Sequence, residues 1–266
     1  MRYRFLIFFW FCFLSNLLFG GNFIIQNDTI FNQTDQNGLK QGFWKKKYAD
    51  GQIKYRGHFL NDQPTGIFYR FYEKGPLQSV QSFRRDGNSY VKIYYQNGIL
   101  AAEGKFLGTK KDSIWKYYSF YGGYLSYIES YKNGQKDGIS KKYYEKGGLS
   151  EELSWKNGTK EGPWKIWFSS GQLQLTALFT KGKLDGRFTT HFPDGKVEIT
   201  GTYVNDIRVG VWTLTDPDTK KSKKINYING VREDQDKIDK TFEEQMKRIE
   251  NSKGKIKNPD RIPFQK

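Results

Sequence analysis

The chain has 266 residues, a formal charge of +16 from 44 lysines and arginines against 28 acids, and a mean hydropathy of −0.77. Aromatic residues make up 17%, which excludes a disordered polar chain, and an excess of Tyr and Phe over Ala, Leu and Met favours strands over helices. One cysteine excludes a disulfide framework.

The first element is MRYRFLIFFWFCFLSNLLFGGN. Two arginines precede an apolar run from Phe5 to Leu14, broken by Ser15 and Asn16 and followed by a second patch ending at Phe19. A basic start and a short apolar core predict a secretory signal peptide over residues 1–20. The run is short for a membrane span, so an uncleaved N-terminal anchor is the alternative. Removal takes away Cys12, the only thiol. The expected location is outside the cytoplasm: periplasm, cell surface or secreted. Residues 21–41 are expected to form an N-terminal cap.

Residues 42–234 repeat. Equivalent positions fall at Gly42, Gly66, Ser89, Ser113, Gly138, Gly162, Gly186 and Gly210, in steps of 24, 23, 24, 25, 24, 24 and 24 residues. Nine residues after the first seven starts comes a glycine: Gly51, Gly75, Gly98, Gly122, Gly147, Gly171 and Gly195. Pairs such as Asp50-Gly51 and Asn97-Gly98 predict a tight hairpin turn there. Segments such as NDQPTG and NGTKEG predict a wider turn closing each unit. Glycine costs about 1 kcal/mol in a helix interior, so each unit reads as two strands. The expected fold is an all-β repeat protein, an elongated twisted antiparallel sheet of about eight hairpins with a short C-terminal helix.

Strand parity assigns faces. The second and sixth positions of each unit are mostly aromatic, for example Trp164 and Phe168, and are expected on the packed face. The fifth lies on the opposite face and is aromatic in the middle copies. Phe71, Tyr94, Tyr118, Tyr143, Trp167 and His191 are therefore the candidate partner-binding row. The competing expectation is that this row only completes a thin sheet. Beyond the repeats, Ile238, Phe242, Met246 and Ile249 recur at spacings of four, four and three, which predicts an amphipathic helix over residues 235–252. Its expected role is to cap the last hairpin, a partner-binding helix being the alternative. Residues 253–266 are expected to be an extended tail.

Units such as GFWKKKYADGQIKYRGHFLNDQPTG and GPWKIWFSSGQLQLTALFTKGKLDG resemble the variant MORN repeat. The third, fourth and eighth copies depart most: two start with serine, the fourth carries an insertion, and Thr219 replaces the turn glycine of the eighth. The resemblance implies a hairpin sheet that binds proteins or membranes and has no catalytic residues. Exported bacterial members look like YwqK-like proteins labelled antitoxins, which implies neutralisation of a protein toxin by direct binding.

Chemistry has little to stand on. His58 and His191 lie in the first and seventh copies, too far apart for a metal site or a triad unless the sheet curls closed. Acids recur before the unit starts at Asp112, Asp137, Glu161 and Asp185, where turn chemistry accounts for them. Paired carboxylates, which glycan hydrolysis requires, are not evident. The lysines either guard strand edges or attract anionic lipid or envelope polymer; export argues against nucleic acid. The expectation is a non-enzymatic exported scaffold without cofactor or metal that binds a protein partner, with no indication of oligomeric state. The alternative is a binder of anionic lipid or cell-envelope polymer through a basic, aromatic face.

Overall fold

The computed structural model describes residues 30–232 and 235–252. The expected signal peptide, residues 21–29 of the expected cap and the tail lie outside the described residues. Nineteen strands form one sheet. They are β1 Gln33–Thr34, β2 Lys40–Lys47, β3 Ile53–Leu60, β4 Gln63–Phe71, β5 Leu77–Phe83, β6 Asn88–Tyr94, β7 Leu100–Leu107, β8 Lys110–Tyr118, β9 Leu125–Lys132 and β10 Gln135–Lys136. Then come β11 Gly138–Tyr143, β12 Leu149–Lys156, β13 Thr159–Trp167, β14 Leu173–Thr180, β15 Lys183–Leu184, β16 Gly186–His191, β17 Val197–Val204, β18 Ile207–Thr215 and β19 Ser222–Tyr227, followed by α1 Gln235–Ser252. Each strand pairs antiparallel with its successor, except that β10 and β11 are two pieces of one strand against β9, and β15 and β16 of one against β14. The expected hairpin-repeat sheet with a C-terminal helix is what the chain forms.

The two turns of each unit exchange widths relative to the sequence reading. The closing turn is the tight one. Asn157 and Gly158 both have positive φ, 48° and 80°, as a two-residue turn matched to strand twist requires, and Lys181-Gly182 and Asn61-Asp62 do the same. The Asp50-Gly51 turn is a three-residue loop in which Tyr48 N–H donates to the Gln52 carbonyl at 2.8 Å and only Gly51 has positive φ.

Two irregularities recur. Opposite the fifth position the downstream strand holds one extra residue: Lys46 faces Tyr55 but Lys47 faces Ile53. The same shift occurs at Phe71, Tyr94, Tyr118, Tyr143, Trp167 and His191. Such bulges bury two successive residues, as at Ala101 and Ala102 or Glu198 and Ile199. The second irregularity is a kink at the unit start. Arg56 faces Tyr69 and His58 faces Thr65, so three residues of β4 stand against Gly57 alone. Phe68 folds over that glycine: a Cβ there would lie 2.0 Å from its ring. Between β5 and β6 the kink is absent and the loop is the three-residue kind, which yields the 23-residue step. The 25-residue step has its extra residue in the Ser119–Tyr124 loop, where Ser119 N–H reaches the Tyr124 carbonyl at 2.9 Å.

The inner face carries the core. The second position is buried in seven copies, from Phe68 to Trp212, as expected. The fourth joins it, with Ile93, Tyr117, Ile166 and Thr190 buried. The sixth is only half-buried and latches neighbouring units together. Tyr48, Tyr72, Tyr95 and Tyr144 donate their hydroxyls to the carbonyls of Phe71, Tyr94, Tyr118 and Trp167 at 2.6–3.0 Å. Cations roof the core aromatics: Lys40 lies 5.3 Å from Trp44, Lys111 4.9 Å from Trp115, Lys160 4.7 Å from Phe179 and Arg208 5.2 Å from Trp212. These four cations are thus engaged on the inner face.

Helix α1 lies against the inner face over β16–β18. Phe242 packs on Phe188 at 6.3 Å, the Arg208 guanidinium sits 3.9 Å from the Phe242 ring, and Ile249 is buried. Gln245 Nε2 donates to Glu198 Oε1 at 2.9 Å, and Thr190 Oγ1 to Glu198 Oε2 at 3.2 Å. Burial raises the Glu198 carboxyl above its ordinary value, against the smaller opposing pulls of Thr190, Arg248 and Gln245. A raised carboxyl stabilises the fold below its unfolded value and loses that contribution as pH rises through the folded one. Glu198→Gln is therefore expected to raise the melting temperature at neutral pH by a few degrees, about 1 kcal/mol for a chain this size, with the gap closing in acid. Thermal unfolding at pH 4 and pH 7 checks it.

Candidate protein interface on the outer face

The opposite face presents the first, third and fifth positions of every unit, repeating every two strands, about 10 Å. The six fifth-position residues Phe71, Tyr94, Tyr118, Tyr143, Trp167 and His191 are all half-buried on this face, each at the upstream side of a bulge. Several are held by neighbours. The Arg56 guanidinium lies 4.8 Å from Tyr69 and 5.9 Å from Phe71. Tyr118 and Tyr90 both donate to Glu103, each at 2.8 Å. Burial first, then Glu103, pushes the Tyr90 phenol up to about 12 and raises Tyr118 as well. Burial also pushes Glu103 up, but the two hydroxyls with Lys116 and Lys92 outweigh it and hold the carboxyl below its ordinary range. Burial lowers His191. His58 contacts Thr65 at 2.9 Å and the Phe43 ring at 5.3 Å.

The more exposed row is one that parity reasoning passed over. Immediately after each unit start stand Phe43, Ile67, Tyr90, Ile114, Ile139 and Val211, with 43–58% of their surface in solvent. The signal was present, since this position is apolar or aromatic in six of eight copies. Beside it runs a third-position row of lysines, Lys45, Lys92, Lys116, Lys141 and Lys165. Lys116 reaches Glu103 at 3.9 Å and Lys141 reaches Glu152 at 3.4 Å, each from an exposed ammonium to a half-buried carboxylate.

The acids before the unit starts act on turns. Asp137 Oδ2 accepts from Asn157 N–H at 3.1 Å and Glu161 Oε2 from Lys181 N–H at 2.7 Å, so each link holds the closing turn of the next. Among the described residues no three His, Cys, Asp or Glu groups come together as a metal site. No helix among them is long and apolar enough to cross a membrane.

An unbranched meander of like hairpins, cored on one face and presenting repeated apolar and basic rows on the other, defines a β-hairpin repeat protein. More particularly, the MORN repeat variant matches residues 40–61, 136–157, 160–181 and 184–205 of this chain. Those are the first, fifth, sixth and seventh copies; the third, fourth and eighth, expected to depart most, are among the unmatched. MORN repeats are non-catalytic motifs that generally bind proteins or membranes. No curated protein matches the chain. Among solved structures, TcdB2-TccC3-TEV shares 12% identity over 73% of this chain with a TM-score of 0.21, and TcdB2-TccC3-Cdc42 shares 11% over 73% with 0.19. The chain spans 12% of either, and the likeness is too slight to carry an argument.

Proposed function

We propose that the protein is an exported, non-enzymatic scaffold that binds a partner protein on its outer face. One observation carries this reading: six units leave an apolar or aromatic side chain exposed at the same position. Isolated exposed apolar residues are ordinary, but a row of them in register is a surface held ready for contact. The fifth-position aromatics extend that surface toward the three-residue loops, where large half-buried rings suit interface anchors. Protein is favoured over anionic lipid or envelope polymer because Glu103 and Glu152 sit among the outer lysines, while Lys40, Lys111 and Lys160 are engaged inside. The resemblance to exported relatives suggests an antitoxin-like version of this binding, with a protein toxin as the partner.

Purification from envelope extracts supplies the test. A stoichiometric partner should be retained by the native chain and lost at least tenfold in Ile67→Glu/Ile114→Glu. The melting temperature of that variant should stay within about 2 °C, since both side chains are exposed. Salt-sensitive binding to anionic vesicles with no protein partner would overturn the reading.

A further inference from the structure

The two ends of the sheet are finished differently. At the first, Asn32 N–H donates to the Phe43 carbonyl at 2.9 Å, Lys45 N–H to Asn32 Oδ1 at 2.9 Å, and β1 pairs with Lys40 and Gln41. That edge is sealed. At the other end β19 pairs only with β18 among the described residues. Its outward groups follow from two turns. Asp216 N–H donates to the Lys221 carbonyl at 2.9 Å, so Lys221, Lys223, Ile225 and Tyr227 bond toward β18. Ile228 and Val231 exchange both backbone bonds across a tight turn, at 3.1 and 3.0 Å, on the opposite side. Ser222, Lys224 and Asn226 share the orientation of Ile228, so their N–H and C=O groups face the side that a ninth unit would occupy. The chain begins such a unit with Ile228-Asn229-Gly230-Val231 and then enters α1, whose Phe242 and Gln245 contact β16–β18.

We propose that this edge of β19 receives an extended, acidic segment of a partner protein as the next antiparallel strand, independently of the outer face. Backbone pairing would supply the affinity, and charge would select the partner. Lys221 and Lys224 are exposed at this edge, whereas Lys220 turns to the Phe192 ring 4.9 Å away. Such lysines deter pairing with a second copy of β19, since two-fold pairing sets like charges opposite one another. The same two charges attract a strand carrying glutamate or aspartate.

Amide exchange on the full chain tests this directly. The probe is a blocked seven-residue peptide alternating valine and glutamate, with a valine–lysine peptide as its counterpart. In the free chain, the amides of Ser222, Lys224 and Asn226 should exchange fast while those of Lys223, Ile225 and Tyr227 exchange slowly. The acidic peptide at millimolar concentration should slow the first three about tenfold or more. Lys224→Pro, which removes an outward N–H together with one edge charge, should abolish that response without lowering the melting temperature, and Lys224→Ala should only weaken it. Slow exchange of all six amides in the free chain overturns the proposal, because the edge is then already covered. So does protection that grows with protein concentration alone, which assigns the edge to a second copy. An equal response to the lysine peptide, or none to the acidic one, also overturns it.

Discussion

Gly201→Ala should cost the protein about 3 kcal/mol or more and lower its melting temperature by roughly 6–12 °C, although it adds a single methyl group. A Cβ on Gly201 would stand 2.1 Å from Trp212 Cδ2 and 2.3 Å from Cε2. The ring has nowhere to retreat. Trp212 is 1% exposed, with Tyr203 at 5.0 Å, Phe188 at 5.8 Å, Tyr227 at 6.0 Å and Arg208 at 5.2 Å. Gly51→Ala supplies the contrast. Gly51 has φ 86° but nothing within 4 Å of its Cβ position, so alanine there meets only backbone strain, about 1–2 kcal/mol. In a Trp212→Val background Gly201→Ala should cost far less, because the ring that it meets is gone and β5 and β6 already set Gln81 against Val91 at the equivalent place. Thermal unfolding of these variants decides the matter: equal losses for Gly51→Ala and Gly201→Ala would mean that the ring is not the obstacle.

That pairing rule was written in the sequence, in a form that periodicity does not expose. Gly57 meets Phe68, Gly104 meets Trp115 and Gly201 meets Trp212, whereas smaller Val91 faces Gln81. Leu153 opposite Trp164 departs from it, and there the indole donates to Glu151 at 2.8 Å. Unit length and strand content were legible because turn residues recur at fixed intervals. Turn widths were not, since Asp50-Gly51 and Asn157-Gly158 are the same signal; only strand register separates a three-residue loop from a two-residue turn. The fourth-position core row was hidden by Lys46, Arg70 and Lys142. The sixth row looked like core because a tyrosine latched to the next unit's backbone has the same letter as a packed one. At the candidate interface, parity placed the fifth row on the outer face. It could not reveal that the neighbouring first row is the more exposed, because both faces of these strands are rich in apolar residues.

Lys136→Met is the second large expected loss, about 3–5 kcal/mol, and its pH dependence should identify the cause. In the fourth copy the inner face carries Glu129, fully buried, where the first, third and seventh copies have glycine under a ring and the next unit supplies only Ser140. Lys136 Nζ lies 2.5 Å from Glu129 Oε1, and Tyr131 donates to Oε2 at 2.6 Å. Burial pushes this carboxyl up, but Lys136 and the tyrosine hydroxyls outweigh it and hold it below the ordinary 4.5. The native group therefore contributes stability above its unfolded value and loses it as pH falls through the folded one. Methionine keeps most of the volume beside Trp155, 4.8 Å from the Lys136 ammonium, but leaves the carboxylate without its cation. Burial then dominates and the sign reverses, so in the variant Glu129 should add stability as the medium is acidified from neutrality, where in the native chain it does not. Adding Glu129→Gln should restore most of the loss at pH 7, because the charge that needed Lys136 is gone. A loss under about 1 kcal/mol, or a double variant no better than Lys136→Met, would show that lysine acts there through its contact with Trp155 and not through the carboxylate.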